Sequence, residues 1–381
     1  MTFRLDPAYN KTECFNVGRV TQAAESLETD FMRKVAVTPE KMVEKDGAIN
    51  FGTFRIPFTN ANILDAPLYS SSSKVPAFWK NFRLKEWQHF GVITQTHYFG
   101  MVIFNAKFMG VSFFYAYDRI ANKRFEHSVQ SPGGASRVAG QVYDDYCEFR
   151  KKGYLLRFEN RLNNGFHKII IDIDAKKDLP AVKGEFKVFE DLNNIEPLVQ
   201  VSPITQFRPF YTHKMAAPAE GKIKIGDKEI LINRKQDIAL LDEQKTYYPY
   251  SSFWKWATAA GYNERGELLA FNLCQNLMID DEDFNENCMW VNGKIFCLKS
   301  ARFKFEEKNV LRPWEVSITD GCMDLQLKPS GERAEKINAG FICSDFHQLF
   351  GLFNGRFKDE NNRIYQMNNL FGLAEHHVTR Y

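Results

Sequence analysis

A mainly β chain made of two tandem copies of one antiparallel unit, with few short helices, is what this sequence predicts, and three observations predict it. Aromatic residues are abundant: 34 Phe, 15 Tyr and 6 Trp stand among 381 residues, and such side chains favour strands. Apolar runs of strand length alternate with turns built on Gly, Asn and Asp. A set of landmarks also recurs, in order, at a spacing of roughly 170 residues.

Along the chain, the first periodic segment is Val20–Val35, read as a helix with Glu25 and Glu28 on its polar side. Ser70–Lys74 reads as a loop. Residues 99–118 are a long aromatic-rich apolar stretch with a turn near Asn105–Lys107, hence two strands of a hairpin. Residues 166–174 and 184–191 read as strands. Pro203, Pro209 and Pro218 punctuate a segment able to link two units. Asp237–Asp242 reads as a short helical turn. Residues 222–233, 267–274, 289–298, 314–329 and 354–370 read as strands or hairpins, with turns at Asn292–Gly293, Asp320–Gly321 and Asp359–Asn362.

The repeat begins with the glycine-bounded pattern Gly47-Ala-Ile-Asn-Phe-Gly52, which recurs as Gly221-Lys-Ile-Lys-Ile-Gly226. An acidic turn follows each, carrying Asp65 and Asp242. Trp87 is then matched by Trp256, Tyr146 by Trp314 and Phe186 by Phe357. This register divides the chain into an N-terminal extension plus first barrel unit over residues 1–210 and a second barrel unit over residues 211–381. Each unit has short strands at hairpin spacing, as an antiparallel barrel or sandwich does. A barrel of about eight strands can hold one small ligand in its mouth.

Composition excludes several classes of function. The chain carries 50 Lys and Arg against 47 Asp and Glu, a net charge of +3, without the basic stripe of a nucleic-acid binder. No apolar run reaches the roughly 18 residues of a membrane span, and MTFRLDPAYNKTE lacks the apolar core of a secretory signal. The seven cysteines are scattered and never spaced as Cys-x-x-Cys. Reduced core thiols and a cytoplasmic location are therefore expected, rather than a disulfide framework or a thiolate metal site. Phosphate-loop, dinucleotide, serine-elbow and HExxH patterns are absent, so no cofactor is expected.

Seven segments carry a family resemblance: RLKEWQ (83–88), YTHKMAAPAEGKI (211–223), LDEQKTYYPYSSFWKWATAAG (241–261), ENCMWVNGKI (286–295), RPWEV (312–316), HQLFGLFNGRF (347–357) and LFGLAEHHVTRY (370–381). In these the chain resembles the family catalogued as domain of unknown function 2804, closely in its second half and more loosely in its first. At greater distance such proteins are similar to tandem lipocalin-like (calycin) double barrels. That arrangement is shared with carotenoid hydratase-like and other cofactor-free enzymes acting on apolar ligands. The resemblance implies a fold of two lipocalin-like antiparallel β-barrels; any implied chemistry is analogy.

Several constellations can carry chemistry. Tyr247-Tyr248-Pro249-Tyr250, followed by Trp254 and Trp256, is the densest aromatic cluster; it either walls a pocket and offers phenol groups to a ligand or plugs a barrel end. Glu286-Asn287 sets a carboxyl beside an amide ahead of a strand, which suits a general acid and a carbonyl orienter, or simply ends the acidic loop 280–286. His347, among apolar residues, serves as acid or base or as a satisfied core residue. Asp118, Asp65 and Asp242 cap turns, unless an aromatic wall desolvates one of them, raises its pKa and lets it protonate an alkene or enol. Lys214 and Lys255 pair with such acids or with an anionic head group, or lie on the surface. Glu375-His376-His377 could join a metal site, but neighbouring strand residues face opposite ways, so both histidines cannot bind one metal without distortion.

Two functions fit. The first is binding of an apolar or amphipathic small molecule in a calycin-type barrel, with cofactor-free hydration, isomerisation or cyclisation. There Glu286, His347, Asp118 and Tyr248 handle protons, and Trp254, Trp256, Asn287, Tyr250 and Lys214 hold the ligand. The second is a non-catalytic structural or carrier protein whose barrels are filled by their own Phe side chains. A cavity of roughly 300 Å3 with at least two convergent titratable groups separates them.

Overall fold

A computed structural model describes residues 32–340 and 342–380. The helix expected over Val20–Val35 lies outside them except at its end, where Val35 opens a strand instead. The first sheet is built from β1 (Val35–Ala36), β2 (Gly52–Phe54), β3 (Lys85–Ile93), β4 (His97–Asn105), β5 (Met109–Asp118), β6 (Lys123–Pro132), β7 (Ser136–Arg137), β8 (Asp145–Lys151), β9 (Tyr154–Arg161), β10 (Phe166–Ile173), β11 (Val182–Val188), β12 (Leu198–Thr205), β13 (Arg208–Ile225), β14 (Lys228–Ile232) and β15 (Ile238–Thr246). The second is built from β16 (Ser251–Tyr262), β17 (Leu268–Gln275), β18 (Cys288–Val291), β19 (Lys294–Cys297), β20 (Ala301–Lys304), β21 (Trp314–Ile318), β22 (Met323–Ala339), β23 (Ile342–Lys358) and β24 (Ile364–Arg380). Among the described residues there is one α-helix, α1 (Ala77–Arg83).

The main path of the first sheet runs β6-β5-β4-β3-β15-β13-β11-β10-β9-β8-β7, and the second runs β19-β18-β17-β16-β24-β23-β22-β21-β20. Apart from the parallel β1–β2 pair, both are antiparallel. Each sheet curls into a half-barrel around its own core. Phe90, Phe99, Phe114, Phe149, Phe158 and Phe186 fill the first. Phe271, Met289, Trp314, Phe353 and Phe357 fill the second. Each such ring or thioether stabilises the fold by about 1.5–3 kcal/mol on burial, so part of the aromatic richness of the sequence lies inside the half-barrels.

Residues 97–118 are apolar on both strand faces because both faces are covered. Phe99, Met101 and Ile103 point into the first core. Tyr98, Tyr115 and Tyr117 point outward, where they pack with Trp256, Trp290, Phe350 and Phe371 of the second sheet in a third apolar cluster. This cluster is the seam between the half-barrels. Gly91 and Gly100 face each other across β3 and β4, and the Tyr98 hydroxyl and Tyr115 ring lie where their Cβ atoms would stand.

The first sheet has two more strands in its path than the second, inserted between β9 and β3. Outside that insertion the repeat is visible. Trp87 and Trp256 lie on β3 and β16, each fourth from one end of its sheet, and Tyr146 and Trp314 lie on β8 and β21, each second from the other end. Gly47 and Gly221 are not equivalent: Gly47 turns in an irregular segment and Gly221 lies within β13. Asp237–Asp242 is also not a helical turn. It enters β15, whose residues Ile238–Leu241 are buried between β13 and β3. The proline segment is not a linker either, since Pro203 lies in β12 and the other two in β13. Pro218 sits where β13 leaves β15 and begins to pair with β11, a point where a missing N–H is tolerated. The chain passes between sheets over residues 247–250, so residues 211–246 pair within the first sheet. The six described cysteines are unpaired thiols.

Candidate acid–base site between the two sheets

Strand alternation decides what reaches the seam. On β15 the run Leu241-Asp242-Glu243-Gln244-Lys245 carries polar side chains on both faces. In the cross-strand register Asp242 stands between His89 on β3 and Lys214 on β13. The next outward row is Trp87, Gln244 and Thr212. Facing these, the second sheet sets Gln348, Glu375, Trp256 and Cys274 in one row across β23, β24, β16 and β17.

The two rows interlock. Lys214 Nζ lies 2.8 Å from Asp242 Oδ1 and 3.5 Å from Glu286 Oε1, and 5.5 Å from the centre of the Trp256 ring. Gln244 Nε2 donates to Glu286 Oε1 at 2.9 Å, and the Tyr248 hydroxyl donates to Gln244 Oε1 at 3.4 Å. Trp256 Nε1 donates to Asn272 Oδ1 at 2.7 Å. Over this polar floor runs an aromatic stack: Trp87 and Tyr248 at 6.2 Å and 4°, then Tyr248 and Trp254 at 6.1 Å and 25°. The two indoles reach down to carboxylates. Trp87 Nε1 donates to Asp242 Oδ2 at 3.2 Å, and Trp254 Nε1 to Glu375 Oε2 at 3.0 Å.

Burial sets the protonation of these groups. It raises Glu375 to about 7, with Asp242 adding to the rise and the bonds from Trp254 and Gln348 opposing it. It raises Glu286 as well, against the pull of Lys214. It depresses His89 to about 4, where the attraction of Asp242 is met by repulsion from Lys214 and Arg333. Burial also opposes the Lys214 cation, but Asp242 and Glu286 outweigh it and hold the ammonium well charged. A fixed cation, a neutral imidazole and two carboxyls inclined to carry protons therefore share one site, the separation of proton affinities that acid–base catalysis needs. Between His89, Tyr98, Lys214, Asp242, Asn272 and the tryptophans lies a cavity of about 10 Å3, the size of one water. The titratable groups converge, but the space they enclose is far below 300 Å3.

Of the residues singled out in the sequence, Lys214, Asp242, Tyr248, Trp254, Trp256, Glu286 and Glu375 meet here. Asn287 stands behind Glu286 and holds the backbone, accepting from Cys274 N and donating to Lys299 O. Others lie elsewhere, Asp65 in a short helical turn and Lys255 over the Phe305 ring. Asp118 caps a turn, and the N–H of Ala121 and that of Ile120 lower its pKa, the opposite of a desolvated acid. His347 is half-buried and pairs with Glu332 and Asp345. Tyr250 is exposed. His376 and His377 face opposite ways, the first against Phe305 and the second against Trp254, and no group of three His, Cys, Asp or Glu among the described residues is placed to hold a metal ion. His89 and the role of Glu375 escaped the sequence reading. The available signal was a run of polar residues inside a strand otherwise apolar on both faces.

A second buried network lies inside the first half-barrel. Glu190 bridges His167 Nε2 and His213 Nε2, each at 2.7 Å, and His213 Nδ1 lies 3.4 Å from Glu243. Glu243 continues to Lys245 at 3.4 Å. All of these side chains are buried among core rings, which marks the network as internal fastening.

A family model described as domain of unknown function 2804 matches residues 33–381, and the chain belongs to that family. None of the curated proteins matches it. Among solved structures, the chain is similar to kievitone hydratase from Nectria haematococca at a TM-score of 0.44 and 10% identity, over 78% of this chain and 88% of that one.

Proposed function

We propose that this family member binds a small amphipathic molecule at the seam and moves protons on it. The observation that carries the reading is the convergence of Lys214, Asp242, Glu286, Glu375 and His89 beneath the Trp87–Tyr248–Trp254 stack. In this reading the apolar part of the ligand lies on the rings, and Lys214 holds a developing oxyanion. Glu375, near its midpoint at neutral pH, gives or takes the proton. The one-water space beside Asp242 and His89 is the place for a water that adds to, or leaves, the ligand. Hydration and dehydration are the reactions best matched to that set. The ligand seats at the rim of the seam, since both half-barrel interiors are occupied by their own side chains.

The small cavity favours a second reading, in which the network only fastens the two half-barrels. Native mass spectrometry with organic extraction, on protein purified from its own organism, separates the two. A stoichiometric amphipathic molecule that is lost on Trp254→Ala supports the proposal. Clean apo protein, with tryptophan fluorescence unmoved by a panel of amphipathic enones and phenols, rules it out in favour of the fastening.

A further inference from the structure

The helix α1 presents an apolar face that nothing in the described chain covers. Phe78 is 74% exposed, and Trp79 and Phe82 are 41% and 44% exposed. Trp79 and Phe82 stack at 5.5 Å, and Phe82 continues to Phe108, 6.1 Å away in the β4–β5 turn and 40% exposed. Phe78, Trp79, Asn81, Phe82 and Lys107 line an open hollow of about 310 Å3. Contiguous exposed aromatics of this kind mark an interaction surface.

The charge around them selects the partner. Between Asp65 and Glu86 the chain carries Lys74, Lys80, Arg83 and Lys85 and no acid. Lys107 adds a fifth cation at the rim, and Glu86, its partner, is turned inward toward Lys245 as well. Lys85 sits over the Phe108 ring at 5.0 Å and donates to the Ala106 carbonyl at 3.0 Å; burial, with Arg83 and Lys107 adding to it, lowers its pKa to about 8. Trp and Phe projecting from a short helix within a collar of Lys and Arg match a bilayer interface, where rings enter the acyl boundary and cations meet anionic head groups.

We infer that α1 and the β4–β5 turn form a docking surface for an anionic lipid bilayer. The surface abuts the seam: Arg83 Nη2 donates to the Tyr248 carbonyl at 3.2 Å. Docking would thus set the aromatic rim beside the membrane, although the inference stands whether or not the seam is catalytic.

Flotation of the full chain with phosphatidylcholine vesicles, with and without phosphatidylserine, tests this. Binding is expected only with phosphatidylserine, weakening steeply with salt, by about fivefold for each of Lys80→Gln and Lys107→Gln. Phe78→Ser/Phe82→Ser should reduce it by at least about tenfold while leaving the far-ultraviolet spectrum and melting temperature unchanged. Failure of the wild-type chain to float with phosphatidylserine vesicles at low salt overturns the inference. So does a concentration-dependent dimer abolished by Phe78→Ser/Phe82→Ser, because the occupant is then a second copy. Binding to α1 by residues 1–31 would appear as vesicle binding gained only on their deletion, and that result also refutes docking by the intact chain.

Discussion

Lys214 stands on β13 and Glu286 in the loop that leads into β18, yet their charged ends lie 3.5 Å apart in the buried seam. Lys214 also serves Asp242 at 2.8 Å, so one cation is shared by two carboxyls. Removing it by Lys214→Met leaves both acids without a counter-charge in a desolvated space. The expected loss is about 3–5 kcal/mol, read from urea denaturation. Adding Asp242→Asn should recover part of that loss. A single-variant loss under about 1 kcal/mol, typical of exposed pairs, would show that solvent reaches the seam.

Glu375 makes stability pH-dependent, and its sign is fixed. Its folded pKa, about 7, stands above the ordinary 4.5. Its contribution is fully present below 4.5 and is lost as pH rises through 7. Glu375→Gln keeps an acceptor for Trp254 and carries no charge to bury. The variant should therefore be more stable than wild type at pH 8, by something on the order of 3 kcal/mol, and nearly equal to it at pH 4.5. Melting temperatures across that range decide it; parallel profiles for the two proteins would place Glu375 in water.

Much of the fold was legible because strand alternation and turn chemistry are local. The hairpins at Asn292–Gly293 and Asp320–Gly321 followed from residues that accept positive φ, and both appear. The path of β13 was not legible. Its prolines look like a linker, and only its pairing with β12, β15 and β11 in turn shows why each is tolerated. Helix α1 has no legible signal because none of its residues is buried, so no apolar stripe faces a core. The site was half legible. The aromatic cluster, Lys214 and Glu286 stood out by composition, whereas His89 and Asp242 become neighbours only through the register of β3, β15 and β13. His347 and Asp118 have suitable chemistry, but Asp118 ends β5 at a turn and His347, half-buried within β23, pairs with Glu332 and Asp345.

Gly100 tests how tightly the seam is packed. A Cβ there would overlap the Tyr115 ring, whose hydroxyl donates to Gln348 Oε1 across the seam at 2.6 Å. Gly100→Ala must displace that ring, and a loss of about 1–3 kcal/mol is expected. Combining it with Tyr115→Leu, which vacates the space, should make the glycine change cost much less than it does alone. Additive losses in a double-mutant cycle would mean that Gly100 and Tyr115 are not coupled.

The network inside the first half-barrel should shape stability at both ends of the pH scale. Burial pushes Glu190 up, but His213 and His167 more than offset it and hold the carboxyl at about 2, below its ordinary 4.5. Its contribution is present above 4.5 and lost as pH falls through 2. Burial lowers His213, but Glu190 and then Glu243 raise it to about 9, above its ordinary 6.5. That contribution is present below 6.5 and lost as pH rises through 9. From this pair alone, stability is greatest between about 4.5 and 6.5. Glu190→Gln removes the partner that both imidazoles share and should cost about 3–5 kcal/mol near pH 6. It should also flatten the acid limb and weaken the alkaline one, to which Glu243 still contributes. Glu375→Gln, by contrast, removes only the fall between 4.5 and 7, so the two variants separate the seam from the barrel interior in one set of melting curves. An unchanged acid limb in Glu190→Gln would mean that Glu190 is not the carboxylate whose protonation unfastens the first half-barrel.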